Sequence, residues 1–556
     1  MTTKNNSDKL KVLMCSEASF LSSGFGTYTK ELLSRLHKTQ KYTIAEFASY
    51  GFVNDVRDRS IDWIYYANAV RDSDPRHKEY SSKSENQFGR WRFEKVLLDF
   101  KPDVVIDIRD YWMSAYQGLS PLRKYFHWIL MPTVDSAPQQ EDWIDTYLSA
   151  DAVFSYSDWG GSVIKEQSNN KINYIGTASP GVNLDIFKIK DKTSIRNKYG
   201  IDPNWTIIGS VMRNQKRKLI PELFTTFRNV LNEIKETNTE LGKNLYLYLH
   251  TSYPDMGWDI PELLKEHGIA NKVLFTYICK SCGNLQCSTF VGPQKHCPKC
   301  YNKSCNMPSV TDGITQDQLS DVYNLFDLYI QYAICEGFGM PQVEAGACGI
   351  PIATVDYSAM SDIITKLEAH SIPIKTKFKE LETKAYRVYP DNDALKDYII
   401  RFIQTPESTR KDKSLRTRQL TEQHYCWENI ANIWDTYLSD LSSKYRANWN
   451  TNLPIINTTN NINAKSNLDR MLYYCSNYYG DATKIGSYKM LNILKEADYG
   501  FAQAGPTSII PFSFKNIEDF FNTYATNNNI SEQVRSSNKE FDEDFILYAK
   551  MKASAS

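Results

Sequence analysis

A chain of 556 residues is too long for one hydrophobic core and divides into two or three domains. Hydrophobic residues at 42%, charged residues at 23% and aromatic residues at 13% describe a globular protein and exclude a chain dominated by disorder. Lys plus Arg and Asp plus Glu both number 65, so no global field draws the protein onto nucleic acid or anionic lipid, and any such partner needs a local basic patch.

The N-terminal stretch Met1 to Lys11 is polar and charged and does not read as a signal peptide, and no apolar run approaches membrane-spanning length. Six of the eleven cysteines fall between Cys279 and Cys305, a pattern of metal binding in a reducing compartment and not of secreted disulfides. The expected location is cytoplasmic. Richness in Asn, Lys, Ile and Tyr matches AT-rich codons of a bacterial or viral genome, which would make it a host cytoplasm if the source is viral.

In chain order, the apolar run Lys11 to Cys15 predicts a strand. Ser22-Ser23-Gly24-Phe25-Gly26-Thr27 predicts a glycine loop, and Tyr28, Leu32, Leu33 and Leu36 are in phase for a helix. Further strands are predicted at Val104 to Ile108, Trp128 to Met131 and Ala152 to Tyr156, separated by helix-length stretches, an alternation that builds a parallel sheet covered on both faces. Pro132-Thr133-Val134-Asp135-Ser136 follows the strand at Trp128 to Met131; Asp135 there is a turn residue or a group that orients or deprotonates a hydroxyl. The turn-rich Pro180 to Phe187 reads as a linker into a second series of strands at Trp205 to Gly209, Leu245 to Leu249, Lys272 to Phe275, Leu328 to Ile330 and Ile350 to Thr354.

Within that second series, Cys279-Lys280-Ser281-Cys282 and Cys297-Pro298-Lys299-Cys300 are paired knuckles whose four thiolates can close a tetrahedron around a structural Zn2+. Cys287, His296 and Cys305 read as bystanders. The insert is too small to bury a core, so metal binding supplies much of its folding free energy. Lys280, Lys295, Lys299 and Lys303 give it a positive balance, with Tyr301 and Phe290 available for stacking, and its place after a strand end puts it where open α/β folds bind ligands.

Glu336-Gly337-Phe338-Gly339-Met340-Pro341-Gln342-Val343-Glu344, continuing to Gly349-Ile350-Pro351, predicts a strand end, a tight turn and a helix that starts near Pro341. A helix start presents backbone N–H donors to a phosphate or a sugar, and the glycines let it approach closely. Glu336 can accept from sugar hydroxyls, and Glu344 from a ribose diol.

This stretch resembles the signature of family 4 glycosyltransferases, with two glutamates separated by seven residues around a Gly-Phe-Gly turn. Gly209-Ser210-Val211-Met212-Arg213 to Lys218, Gly24-Phe25-Gly26 and Gly181-Val182-Asn183 to Phe187 resemble its other motifs, in order, across about residues 10 to 441. The resemblance implies an α/β protein of the GT-B fold, with two Rossmann-like parallel-sheet domains and a cleft between them. It also implies retention of anomeric configuration and no catalytic metal. Arg213 and Lys218 would hold the donor diphosphate, whose leaving charge they stabilise. Glu336 and the Phe338-Gly339-Met340 backbone would hold the sugar, Glu344 the nucleoside, and the amides of Gly24, Phe25 and Gly26 would face the diphosphate. Many members carry a His near the acceptor hydroxyl where this chain has Asp135; His127 lies before that strand.

The expected organisation is an acceptor domain at 1–185, a nucleotide-sugar domain at 186–430, the zinc ribbon at 278–306, a helix returning to the first domain at 431–445, and a linker with a small C-terminal appendage at 446–556. The expected reaction moves a sugar from a nucleoside-diphosphate sugar, a UDP-sugar by default, to an acceptor hydroxyl. The acceptor is expected to be a hydroxymethylated pyrimidine of phage DNA, with an envelope glycan, lipid or protein as the alternative acceptor. A catalytically inactive binding or scaffold module is the alternative of another class.

Overall fold

The computed structural model describes residues 9–52, 55–120, 122–237, 239–309 and 313–449. The expected linker and C-terminal appendage from residue 450 onward lie outside the described residues. The chain forms two compact units. Of the described residues, unit 1 holds those within 9–132, 149–153 and 435–449, and unit 2 those within 133–148 and 154–434.

The first sheet contains β1 (Leu10–Glu17), β2 (Tyr42–Phe52), β3 (Ile64–Ala69), β4 (Val104–Asp107), β5 (His127–Leu130), β6 (Ala152–Ser155) and β7 (Tyr174–Thr177), in the order β3-β2-β1-β4-β5-β6-β7. The registered pairings from β1 to β6 are parallel. In β1 the side chains of Leu10, Val12, Leu13, Met14 and Cys15 are all buried, the near-continuous apolar run of a strand covered on both faces. Within unit 1, Asp435 accepts from Lys41 Nζ at 2.5 Å and from Tyr42 Oη at 2.8 Å, and Trp449 Nε1 donates to the Pro102 carbonyl at 2.8 Å.

The second sheet contains β8 (Thr206–Val211), β9 (Leu245–His250), β10 (Val273–Cys279), β11 (Leu285–Thr289), β12 (Gln294–Lys295), β13 (Cys305–Asn306), β14 (Leu328–Gln331), β15 (Ile352–Val355) and β16 (His370–Ile372). Its order is β12-β13-β10-β9-β8-β14-β15-β16, with β11 also paired to β10. The run from β10 to β16 is parallel, whereas β11 and β13 pair antiparallel with β10. A separate antiparallel hairpin follows, β17 (Ile374–Lys379) with β18 (Tyr386–Pro390).

Two local expectations differ from the structure. The third strand of the second series runs on past Phe275 to Cys279, so the first cysteine of the first knuckle is the last residue of β10, and the ribbon continues the sheet. Gly24, Phe25 and Gly26 form no loop: they are the first turn of the helix Gly24–Lys38, capped by Ser23, whose Oγ accepts from the Gly26 amide at 3.0 Å. A Cβ at Gly26 would lie 2.6 Å from the Leu21 carbonyl oxygen, so the close approach of the chain at this helix start excludes any larger residue.

Candidate active site

In unit 2 the segment after β8 is laid directly against the segment after β14. Lys218 bridges to Ala333, the Ile334 amide donates to the Arg217 carbonyl at 3.0 Å, and the Leu219 amide donates to Tyr332 at 3.2 Å. The start of that segment is pinned from its other side. Asn214 exchanges hydrogen bonds with the Trp258 backbone at 2.8 and 2.9 Å, and Trp258 Nε1 donates to the Lys218 carbonyl at 2.8 Å. Gly209 in β8 is fixed by packing, since a Cβ there would lie 2.1 Å from the Phe326 ring.

This pinning delivers two cations to one carboxylate. Glu336 is buried; Arg217 Nη1 lies 2.8 Å from its Oε2, Lys218 Nζ is ion-paired with its Oε1, and Gln331 Nε2 donates to Oε1 at 2.7 Å. Tyr329 Oη in turn donates to Gln331 Oε1 at 2.5 Å, and the Glu336 amide donates to Ser358 Oγ at 2.9 Å. Burial alone would raise the Glu336 carboxyl, but Arg217 and Lys218 outweigh it and hold the group down at about 2. Arg213 is placed elsewhere: it is half exposed and paired with Asp255, Nε to Oδ2 at 2.9 Å. Of the two cations singled out in the sequence, the structure therefore brings Lys218 to Glu336 and leaves Arg213 with Asp255. Arg217, which carries no motif position of its own, takes the nearer place.

The chain then turns through Gly337 and Phe338 to Gly339, which has φ +89° and forms the N-cap of the helix Met340–Ala347. Only glycine holds that left-handed conformation cheaply. A Cβ there would also lie 2.4 Å from Gln342 Nε2, and one at Gly337 would lie 2.2 Å from Thr133. No side chain caps this helix among the described residues, and Pro341 sits in its first turn, where its missing N–H costs nothing. The buried Gln342 Oε1 has no hydrogen-bond partner among the described residues. Glu344, on the same helix, accepts from Tyr323 Oη at 2.7 Å; burial pushes its carboxyl up to about 7, with the tyrosine bond pulling weakly the other way.

Asp135 belongs to the same unit and lies on the other side of Cys335. Its Oδ1 is 3.0 Å from Arg387 Nη1, and Cys335 Sγ is 3.4 Å from its Oδ2. Arg387 also pairs with Glu380 at 2.8 Å. Asp135, Arg387, Cys335, Glu336, Arg217 and Lys218 thus form one continuous polar cluster, and Arg387 is a member for which the sequence offered no motif. His127 is remote from this chemistry in role: its Nε2 is 2.9 Å from Tyr437 Oη in unit 1.

A second candidate centre lies in the ribbon. One ligand atom from each of Cys279, Cys282, Cys297 and Cys300 falls within 4.8 Å of the others, a spacing that fits four thiolates around a tetrahedral zinc. Cys305 is buried opposite Cys279 in the β10–β13 pairing, and Cys287 lies 3.1 Å from Tyr248 Oη; neither joins the cluster. Two residues expected to be available to a partner are already committed. Lys295 Nζ bonds Ser288 Oγ at 2.8 Å and sits over the Tyr277 ring, while Phe290 packs between Tyr253 and Phe275. Lys280, Lys299 and Lys303 are exposed, as is Tyr301.

Residues 289–418 match the family described as "Glycosyl transferases group 1". A segment of 195 residues is 25% identical to a D-inositol 3-phosphate glycosyltransferase of Rhodococcus jostii (strain RHA1), covering 34% of this chain and 33% of that protein, so the match spans about a third of the relative's length. Among solved structures, sucrose-phosphate synthase of Thermosynechococcus elongatus is similar with a TM-score of 0.57 at 15% identity, over 78% of this chain and 100% of the other. A glycosyltransferase of Rickettsia africae ESF-5 gives a TM-score of 0.52 at 14% identity over 79% and 99%. Anabaena HepE, solved with UDP and glucose, gives 0.52 at 11% over 78% and 100%. These likenesses establish the GT-B architecture, two parallel-sheet α/β units with a four-cysteine insertion in the second.

Proposed function

We propose that this protein is a retaining glycosyltransferase that takes a sugar from a nucleoside diphosphate, UDP by default, and places it on an acceptor hydroxyl. The observation that carries the reading is the Glu336 cluster: a buried carboxylate held ionised by Arg217 and Lys218 at the mouth of a glycine turn and a helix N-terminus. A departing nucleoside diphosphate gains negative charge as the glycosidic bond breaks, and preorganised cations stabilise it without reorganising. Lys218 and Arg217 are positioned for that task, with Arg213 as a further cation once Asp255 releases it. Glu336 and the Phe338-Gly339-Met340 backbone receive the sugar hydroxyls, and Glu344 receives the ribose diol. Asp135 serves the acceptor hydroxyl, oriented by Arg387.

The match to the group 1 family and the UDP and glucose bound by Anabaena HepE support the donor class. Retention of configuration rests on the resemblance of the Glu336 to Glu344 motif. We further propose one structural Zn2+ held by Cys279, Cys282, Cys297 and Cys300; it would supply folding free energy to the ribbon and no step of the reaction. The acceptor proposed is a hydroxymethylated pyrimidine of DNA. An inert scaffold has no need to keep the Glu336 carboxylate and the Lys218 ammonium buried together, an arrangement that costs desolvation.

A thermal-shift screen against nucleotide sugars tests the donor assignment, because a ligand that binds only the native state raises its melting temperature. A concentration-dependent rise with a uridine diphosphate sugar, absent with the free sugar, is the expected result; no rise with any nucleotide sugar would count against the assignment.

A further inference from the structure

The ribbon packs against the loop that carries Asp255, and the contact is fixed from both sides. β11 ends at Thr289, which pairs with Leu274 of β10, and the turn that follows is held to the same strand by one hydroxyl. Tyr277 Oη donates to the Gly292 carbonyl at 2.8 Å and accepts from the Val291 amide at 3.3 Å. Phe290, at the start of that turn, is thereby set with its ring edge-on to Phe275 and to Tyr253, the centroids 5.8 Å apart in each case. Phe275 is a buried residue of the main sheet, so Tyr253 rests on a part of the ribbon that moves only with β10.

Tyr253 lies in the loop 251–259, which joins β9 to the helix Ile260–His267 and has no strand or helix of its own. The polar groups of this loop serve the segment that carries Arg213. Ser252 Oγ accepts from the Asn214 amide at 3.2 Å and donates to Asp255, which also accepts from the Met256 amide at 2.8 Å and from Arg213 Nε and Nη2 at 2.9 and 3.1 Å. Gly257 lies against Asn214, where a Cβ would come within 2.2 Å of Asn214 Oδ1. Pro254 is exposed and Met256 is 86% exposed, so the rings that anchor the loop are Tyr253 and Trp258. Trp258 is bonded to the Arg213 segment itself, whereas Tyr253 ties the loop to the ribbon. An irregular loop holds an arginine in place only while it is itself braced, because local opening is easiest where apolar contacts are few.

We propose that Phe290 and Tyr253 are positioning residues of the donor site: the turn of the ribbon braces the 251–259 loop, and the loop, through Ser252 and Asp255, sets the place from which Arg213 reaches the donor diphosphate. The ribbon then acts on the donor without touching the reacting atoms. The proposal rests on the transferase reading for the role of Arg213, whereas the brace is measured without it.

The test uses the full-length protein and two readouts, amide hydrogen exchange and the rate of UDP release from a UDP-sugar. Phe290→Ala and Tyr253→Ala should speed exchange at the Asn214 and Met256 amides roughly tenfold, while Tyr253→Phe, which keeps the ring, should exchange as the wild type does. Tyr253→Ala lies outside the ribbon and carries the test where Phe290→Ala does not fold. UDP release should fall roughly tenfold in Tyr253→Ala and recover in Tyr253→Phe. Added to Arg213→Ala, Tyr253→Ala should cause little further loss, because a residue that acts through Arg213 has nothing left to position. Exchange at the wild-type rate in the alanine variants overturns the proposal, and so does an equal fall in UDP release whether or not Arg213 is present. A wild-type protein that releases no UDP, with faster loop exchange in the variants, would instead remove the transferase reading and leave the brace assigned.

Discussion

Arg217 Nη1 lies 2.8 Å from the Glu336 carboxylate, whereas Arg213, four residues earlier in the same segment, is turned to Asp255. The cause is backbone geometry. Asn214 and Trp258 clamp the start of the segment, and the antiparallel bridge of Lys218 to Ala333 brings its end over Glu336. Loss of Arg213 and loss of Glu336 should consequently differ in cost. Arg213→Ala loses a pair whose arginine is half exposed, and the Asp255 carboxylate left behind keeps its bonds from Ser252 Oγ and the Met256 amide, so the variant should cost about 1 kcal/mol and show itself mainly in turnover. Glu336→Ala leaves Lys218 as an uncompensated buried charge and should cost about 3–5 kcal/mol, measured by denaturant unfolding, along with activity. Equal stability losses in the two variants would contradict this division.

Glu344 should make donor binding depend on pH. Its carboxyl is raised by burial from 4.5 to about 7, so folding favours the protonated form. The sign follows from linkage: its contribution to stability is full below the unfolded value of 4.5 and is lost as pH rises through about 7. A ribose diol donating two hydrogen bonds prefers the carboxylate, so nucleotide affinity should fall as pH drops below about 7, and proton release should accompany binding there. Glu344→Gln should flatten that profile, weaken binding, and at pH 8 unfold less readily than the loss of ligand contacts alone suggests. Calorimetric titrations in buffers of different ionisation heat read the proton count; an unchanged profile in the variant would refute the role given to Glu344.

Metal removal should act on unit 2 as a whole, because β10 is at once a strand of the main sheet and the bearer of Cys279. Elemental analysis should find about one zinc per chain. Chelation should lower the melting temperature of the protein and not merely loosen the ribbon, since zinc binding is coupled to folding. Cys282→Ser and Cys300→Ser should lose the metal, while Cys305→Ser and Cys287→Ser keep it. Retention in the first pair or loss in the second would move the site.

Arg387 should be a positioning residue that is sensitive to its shape. Its guanidinium spans Asp135 and Glu380, both about one-third exposed, so Arg387→Ala should cost roughly 1–3 kcal/mol after allowance for solvent screening. Arg387→Lys supplies one charge but no fork and should not restore acceptor turnover. Asp135→Asn should lower transfer while leaving donor affinity close to wild type; a fall in donor affinity instead would place Asp135 on the donor.

Much of this architecture was legible in the order of residues. Apolar runs such as Val104 to Asp107 and Leu328 to Gln331 are buried on both faces and announce parallel strands, and the spacing of two cysteine knuckles announces a four-thiolate cluster. What escaped depends on position in irregular backbone. The identity of the arginine beside Glu336 is set by a clamp from Trp258, forty residues on. The Gly24 turn reads as a loop because its glycines hide a helix start made by Ser23. Lys295 and Phe290 look like surface residues until β11 and β12 fold them inward. The β17–β18 hairpin has no consistent alternation, with Val388 buried opposite exposed Lys377, and Arg387 therefore carries no signal that composition or spacing could expose.

The central claim is tested most directly by release of UDP from a UDP-sugar, followed over time with the wild-type protein, Lys218→Ala and Glu344→Ala. Hydrolysis or transfer should release UDP in the wild type, with or without acceptor, and fall at least a hundredfold in the variants, consistent with loss of a preorganised group that stabilises the leaving charge or holds the nucleoside. No release from any nucleoside-diphosphate sugar by the folded, zinc-loaded protein, or release at the wild-type rate in both variants, would contradict it.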